Sequence, residues 1–313
     1  MQDRSISAAP QTLASRGFGN AYLLLILTMI FWAGNSVVAR GIYQTVPPMA
    51  LGWLRWTIAA ILILPVAWPH LRRDWPVIRA NWPILALLGA VGAGTFNALY
   101  YYGISKTSAI NALVINSAVP ILIPLATFTM YRERIGRKQA TGIAVSLIGV
   151  LVVLMKGDLG VIAALDLNEG DLWALAAMGV WAIYTTLLRK QPPIHWLSFA
   201  AITFTVASLM NLPMFVGEHL LFRQIHWTRE AVIAVVYVGT LPSVVAQIFY
   251  IRGVELIGGN RAGVFVHLVP MFGALMAIAF LGETLHWFHL AGFVLILIGV
   301  WLASGPARIS IPT

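Results

Sequence analysis

Ten stretches of about twenty mostly apolar residues run through this chain, with charge nearly absent inside them. A helix needs about 20 such residues to cross a ~30 Å hydrocarbon core. The runs fall at roughly 20–39, 48–68, 83–103, 109–130, 138–156, 171–188, 196–216, 230–251, 259–281 and 286–304. They predict an all-α integral membrane protein of ten transmembrane helices. Short connections predict antiparallel neighbours. Composition agrees, because only 10% of the residues are charged, whereas soluble domains carry about 25%. Such a surface must face lipid.

The formal charge of +9 raises the question of a nucleic-acid partner. The basic residues sit in short clusters between apolar runs, which is a membrane-topology pattern. No nucleic-acid partner is expected; the bilayer and a small molecule are. Cysteine is absent, which excludes a disulfide framework, a thiolate metal site and a cysteine nucleophile. Residues 1–18 read as a polar cytoplasmic tail. The apolar run behind them is too long for a signal-peptide core.

A cytoplasmic N-terminus places 14 Lys and Arg inside and 5 outside, with Arg55 within the membrane. Only that orientation obeys the positive-inside rule. Both termini are then cytoplasmic. Trp75, Trp82, Trp196, Trp227 and Trp287 fall near span ends, as interfacial belts require.

The chain also repeats itself. Shifted by 150 positions, Gly89 meets Gly239, Tyr100 meets Tyr250, Val119-Pro120 meets Val269-Pro270, and Glu133 meets Glu283. Gly142 and Gly149 meet Gly292 and Gly299. A shift of 149 brings Trp32-Ala33 onto Trp181-Ala182. The expected organisation is a five-helix repeat over 19–157, a second over 158–305, and a short tail over 306–313. Five is odd, so the second repeat enters the membrane from the opposite side. Inverted repeats are a route to alternating access.

The segments FWAGNSVVAR (31–40), PPMALGWLRW (47–56), 116–153 and its echo 268–302 carry a family resemblance. The chain resembles EamA-type members of the drug/metabolite transporter superfamily over about 20–304. That resemblance implies ten helices, both termini inside, and export of small metabolites, in some members amino acids including aromatic ones.

Polar groups at membrane depth are costly and tend to face a cavity or a partner. The candidates are Asn35, Arg55, Asn97, Asn111, Asn116, Gln247 and His267, with aromatic neighbours Trp32, Tyr101, Trp181, Tyr184 and Tyr250. Asn97 and Tyr101 share a helix face, and the mate of Asn97 is Gln247, three residues before Tyr250. Amide and phenol groups suit an amino or carboxyl group and a ring; hydrogen bonding between helices is the other reading. Pro120 and Pro270 read as bends within the fourth and ninth helices. Arg55 reads chiefly as a structural cation near the outer end of its span, the alternative being a counter-ion for a substrate carboxylate. Gly142, Gly149, Gly292 and Gly299 form small-residue faces, for a seam between the halves or between two copies. Monomer and homodimer both remain open.

The carboxylates read as loop or span-end groups, so either His267 couples protons or the substrate gradient alone drives the carrier. No phosphate-binding GxxxxGK and no HExxH occurs. No cofactor and no metal is expected. The expected function is a secondary exporter in a bacterial-type cytoplasmic membrane, carrying neutral or aromatic amino acids. Drugs or nucleosides are the alternative cargo. A lipid-modifying enzyme would need clustered acidic ligands or phosphate clamps, and a channel would need a continuous polar path. A reporter fused behind Thr313 should be accessible only from the cytoplasm; protease cleavage of it in intact cells would reverse the orientation.

Overall fold

A computed structural model describes residues 18–107, 114–158, 160, 168–281 and 284–304. Asn111, Glu283 and nearly all of both predicted tails lie outside these. The helices are α1 Ala21–Gly41, α2 Pro48–Ala80, α3 Trp82–Lys106, α4 Val119–Tyr131 and α5 Arg137–Leu154. There follow α6 Glu169–Leu187, α7 Trp196–Leu221, α8 Arg229–Ile257, α9 Leu268–Leu281 and α10 Trp287–Ser304. Among the described residues, nine helical segments are long and apolar enough to cross a membrane. The protein is an all-α membrane protein.

The ninth predicted span, 259–281, is not one continuous α-helix. It comprises a turn at Gly259–Ala262, a 3-10 stretch at Gly263–His267, and then α9, which has 14 residues. At 1.5 Å per residue α9 alone is about 21 Å long, short of a ~30 Å core. Pro270 has no N–H to give the preceding turn, so it sits in the first turn of α9 and the α-helix begins there. Pro120 does the same at the start of α4, behind a turn at Ser117-Ala118. The two prolines therefore open helices; they do not bend the middle of one.

Three predicted spans end too early; the eighth stops at 251, whereas α8 runs to Ile257. The structure carries α2 to Ala80 and not to 68, through Pro65, Pro69 and Pro76. A helix of 33 residues is about 50 Å long, so the turns bearing Arg72, Arg73 and Arg79 extend beyond the lipid. Likewise α7 runs to Leu221 and not to 216. The extensions place Asp74 and Glu218, read above as loop or span-end groups, inside helices. Each caps the other helix. Asp74 accepts from the His195 N–H at 2.8 Å and from Ser198 Oγ at 2.8 Å at the start of α7. Glu218 accepts from the Ala50 N–H at 2.8 Å at the start of α2. Helix N-termini present unpaired N–H groups and partial positive charge, which carboxylates satisfy.

The main packing partners follow the repeat. Helix α5 packs on α10, α2 on α7, α3 on α6, and α8 on α1. Exchanging the halves maps the first two pairs onto themselves and swaps the last two. The closest seam is α5 against α10. A Cβ on Gly142 would lie 2.6 Å from the Gly299 carbonyl, and one on Gly149 would lie 2.7 Å from the Gly292 carbonyl. These glycines thus join the halves within one chain. Overpacking at such a contact costs about 1–3 kcal/mol. Gly299→Ala should accordingly lower the melting temperature of the detergent-solubilised protein, because its Cβ meets backbone at Gly142 and Ser146.

The α6–α7 connection supplies a pH-sensitive contact. The His70 and His195 rings stack at 3.7 Å with 8° between planes. Burial pushes the His195 pKa below 6.5, helped by His70 and Arg73 and opposed by Asp74. A base with a depressed folded-state pKa binds fewer protons folded than unfolded. Its contribution is intact above the unfolded value of 6.5 and declines as pH falls through 6.5 toward the lower folded value. The melting temperature should fall between about pH 7.5 and 5.5, and the fall should shrink in His195→Gln. An unchanged slope in that variant would assign the dependence elsewhere.

Candidate functional site

Helices α3 and α8 both lose regular α-geometry midway. Wider π-helical turns occupy Ala90–Thr95 and Leu241–Val245, almost one repeat length apart. The first is AVGAGT, whose glycines weaken the helix. In the second, Pro242 cannot donate to the Val238 carbonyl four residues back. The Ser243 hydroxyl donates to that carbonyl instead, at 2.7 Å. In α3 the Asn97 amide donates to the Ala93 carbonyl at 2.7 Å. Local π turns are frequent at functional sites, and these two flank a cavity between the halves.

The cavity holds about 670 Å³ of empty space, its open side included. Both halves wall it. From the first come Trp32, Asn35 and Ser36 on α1, Arg55 and Trp56 on α2, Phe96, Asn97 and Tyr100 on α3, and Asn116 and Val119 at α4. From the second come Met178 and Trp181 on α6, Gln247 on α8, and Val266 and Val269 around the start of α9. The aromatic wall is a cluster. The Trp32 and Trp181 rings meet edge to face at 5.3 Å, and Phe96 lies 4.9 Å from Trp181. Such geometry is favoured by ring quadrupoles.

Six predicted site residues reach this wall: Trp32, Asn35, Asn97, Asn116, Trp181 and Gln247. Four stand behind it. Tyr101 is 2% exposed and accepts from Arg55 Nη1 at 2.9 Å. Tyr184 packs its ring where Gly92 lacks a side chain, and its hydroxyl accepts from Gln247 Nε2 at 3.0 Å. The Tyr250 hydroxyl pairs with Thr185 Oγ1 at 3.1 Å. His267 is fully buried, with Nδ1 2.7 Å from Ser146 Oγ and Nε2 3.0 Å from the Ser117 carbonyl. A carbonyl only accepts, so Nε2 carries a proton; the Ser146 hydroxyl also lies 2.9 and 3.1 Å from the Gly142 and Ile143 carbonyls. Val266 and Val269, three residues apart, share the face that borders the cavity, and His267 lies off it.

Arg55 is the main change from the sequence reading. It does not reach for backbone carbonyls at an outer end. It is 6% exposed and donates to three side chains, Ser243 Oγ from Nε at 2.8 Å, Asn97 Oδ1 from Nη1 at 3.1 Å and Tyr101 Oη at 2.9 Å. It therefore holds both π-helical regions. Pro242 and the Gly92–Gly94 run were the sequence signals for those regions. Tyr100, Phe96, Trp56 and Met178 were also missed; ordinary apolar residues carry no mark that separates a cavity wall from a core.

A lipid-facing helical bundle enclosing a polar, aromatic cavity between two halves defines a multi-pass membrane transporter. The chain belongs to the EamA-like transporter family, whose model matches residues 19–155 and again 168–305. It is similar to an uncharacterized transporter of Bacillus subtilis, YyaM, at 26% identity over 93% of this chain and 95% of that one. It is also similar to a probable amino-acid metabolite efflux pump of Salmonella typhimurium, at 28% identity over 89% and 93%. An uncharacterized inner membrane transporter of the same organism, YicL, is 24% identical over 91% and 95%. A solved crystal structure shares the fold with a TM-score of 0.75 at 21% identity, covering 91% of this chain and 96% of that one. The family places the protein among multi-pass transporters of the cytoplasmic membrane and not among enzymes.

Proposed function

We propose that this protein is a secondary exporter of small metabolites, carrying neutral and aromatic amino acids by alternating access. Its two five-helix halves are inverted with respect to each other, and both termini face the cytoplasm. The observation that carries this reading is the composition of the cavity wall. Trp32 and Trp181, mates in the repeat, meet across it, and the mates Asn97 and Gln247 both line it. Rings bind an apolar side chain, and amides bind the polar ends of a zwitterion. The relative named as a probable amino-acid metabolite efflux pump supports the same cargo.

Alternating access requires the halves to rock, and the exposed ion pairs between them fit that requirement. Arg189 meets Glu133 at 2.7 Å and Lys106 meets Glu169 at 3.1 Å. Exposed ion pairs contribute only about 0–1 kcal/mol each, so they break readily. The substrate gradient is the driving force in this reading. His267 has both ring nitrogens engaged and is not on the cavity wall.

The test is counterflow of labelled L-phenylalanine in liposomes holding the purified protein. Saturable flux is expected, competed by neutral and aromatic amino acids and indifferent to an imposed pH gradient. Trp181→Ala should weaken half-saturation about tenfold, from the loss of ring contacts worth about 1.4 kcal/mol. Conductance without saturation would indicate a channel. Strong acceleration by a proton gradient that disappears in His267→Ala would assign His267 the coupling.

A further inference from the structure

We infer that Arg55 is the anchor for a substrate carboxylate, with Asn35 taking the ammonium end of the same molecule. The inference rests on the transporter reading and narrows its substrate class to single-carboxylate zwitterions.

A guanidinium offers five N–H donors. In Arg55, Nε and both Nη1 hydrogens serve Ser243, Asn97 and Tyr101. The two donors on Nη2 have no partner within the described structure, and Arg55 borders the cavity. Its charge is also unmatched. No ion pair among the described residues includes it, and its neighbours are neutral oxygens and the Trp56 face, 5.0 Å from Cζ. An unpaired cation at membrane depth is costly. The three bonds hold the guanidinium in place without neutralising it, which leaves the neutralisation to a ligand.

The rest of the wall selects the ligand. Arg55 is the one charged side chain among the described lining residues. One positive charge matches a carboxylate; a phosphate, with nearly two negative charges at neutral pH, would want a second cation. On the same wall the Asn35 Oδ1 atom is buried without a hydrogen-bond partner. A buried acceptor left unsatisfied costs about 1–3 kcal/mol. A free acceptor and a free cationic donor in one cavity complement the two ends of an amino acid. The aromatic cluster beside them takes its side chain.

The experiment compares acids with their amides. Purified protein is assayed for thermal stabilisation by L-phenylalanine, L-phenylalaninamide, 3-phenylpropionate and phenethylamine, at about pH 6 so that the amines are charged. Both acids should stabilise the wild type at concentrations about tenfold below those of the matching uncharged-carbonyl or amine compounds. Arg55→Gln should abolish that preference, so that each acid and its matching amide or amine act within about twofold of each other. Arg55→Lys, which keeps the charge, should retain part of it and guards against a folding defect in the first variant. Asn35→Leu should weaken phenylalanine and phenethylamine and spare 3-phenylpropionate. A purely structural arginine would lower stability in every variant and leave the acid-to-amide ratio unchanged, which would overturn the anchor. Equal binding of acid and amide by the wild type would overturn it too. The two readings fail separately. Amides or amines that cross liposomes with no acid preference would keep the transporter and remove the anchor. Acids that bind in an Arg55-dependent way without any flux would do the reverse.

Discussion

Lipid offers the backbone no hydrogen bonds, and that constraint shapes every irregularity in this protein. Among the described residues, most of the chain that faces lipid is regular helix. Where it departs from α-geometry, protein covers the departure or it borders the cavity. The π turns at Ala90–Thr95 and Leu241–Val245 bury Gly92, Ala93, Gly94, Pro242 and Ser243 and leave Leu241 exposed, and side chains take their loosened carbonyls, Asn97 for Ala93 and Ser243 for Val238. The 3-10 stretch at Gly263–His267 is wholly buried. Irregular backbone is tolerated only at the centre, so it concentrates in the region where a substrate would bind.

The second organising fact is the pairing of each helix with a partner from the other half. Caps and glycines enforce it. Asp74 of α2 caps α7, and Glu218 of α7 caps α2. Gly89 lets α3 approach Val206 of α7, and Gly239 lets α8 approach Ile58 of α2. Gly142 and Gly149 do the same for α5 and α10. In a bilayer there is little hydrophobic drive between helices, so close packing and polar links do the work. Contacts of the same kind thus recur as related sets in the two halves.

These relations explain what was legible in the sequence. Apolar run length located nine segments, because hydrocarbon thickness sets it directly. The repeat located Trp32 with Trp181 and Asn97 with Gln247, since an offset of about 150 positions survives any error in helix ends. Ends were misplaced in α2, α7 and α8, where the helix continues past the lipid and hydropathy no longer reports on it. Pro120 and Pro270 looked like mid-helix bends because the sequence does not show where a preceding turn stops. His267 and Tyr250 looked like site residues because depth is readable and facing is not. Phase across a π turn or a 3-10 stretch cannot be carried from a 3.6-residue wheel.

Arg55 shows the same limit from the energetic side. Its depth marked it as costly, and a snorkelling arginine near a span end was the cheaper explanation. The structure removes that explanation, because the side chain is turned inward and fastened to Asn97, Tyr101 and Ser243. Those three oxygens come from helices of both halves, so the guanidinium is also a strut between α2, α3 and α8. A ligand that engages Nη2 would draw charge density from the group that ties the two π turns together. Binding and the relation between the halves would then share one side chain, which is the physical link an alternating-access carrier needs between occupancy and movement.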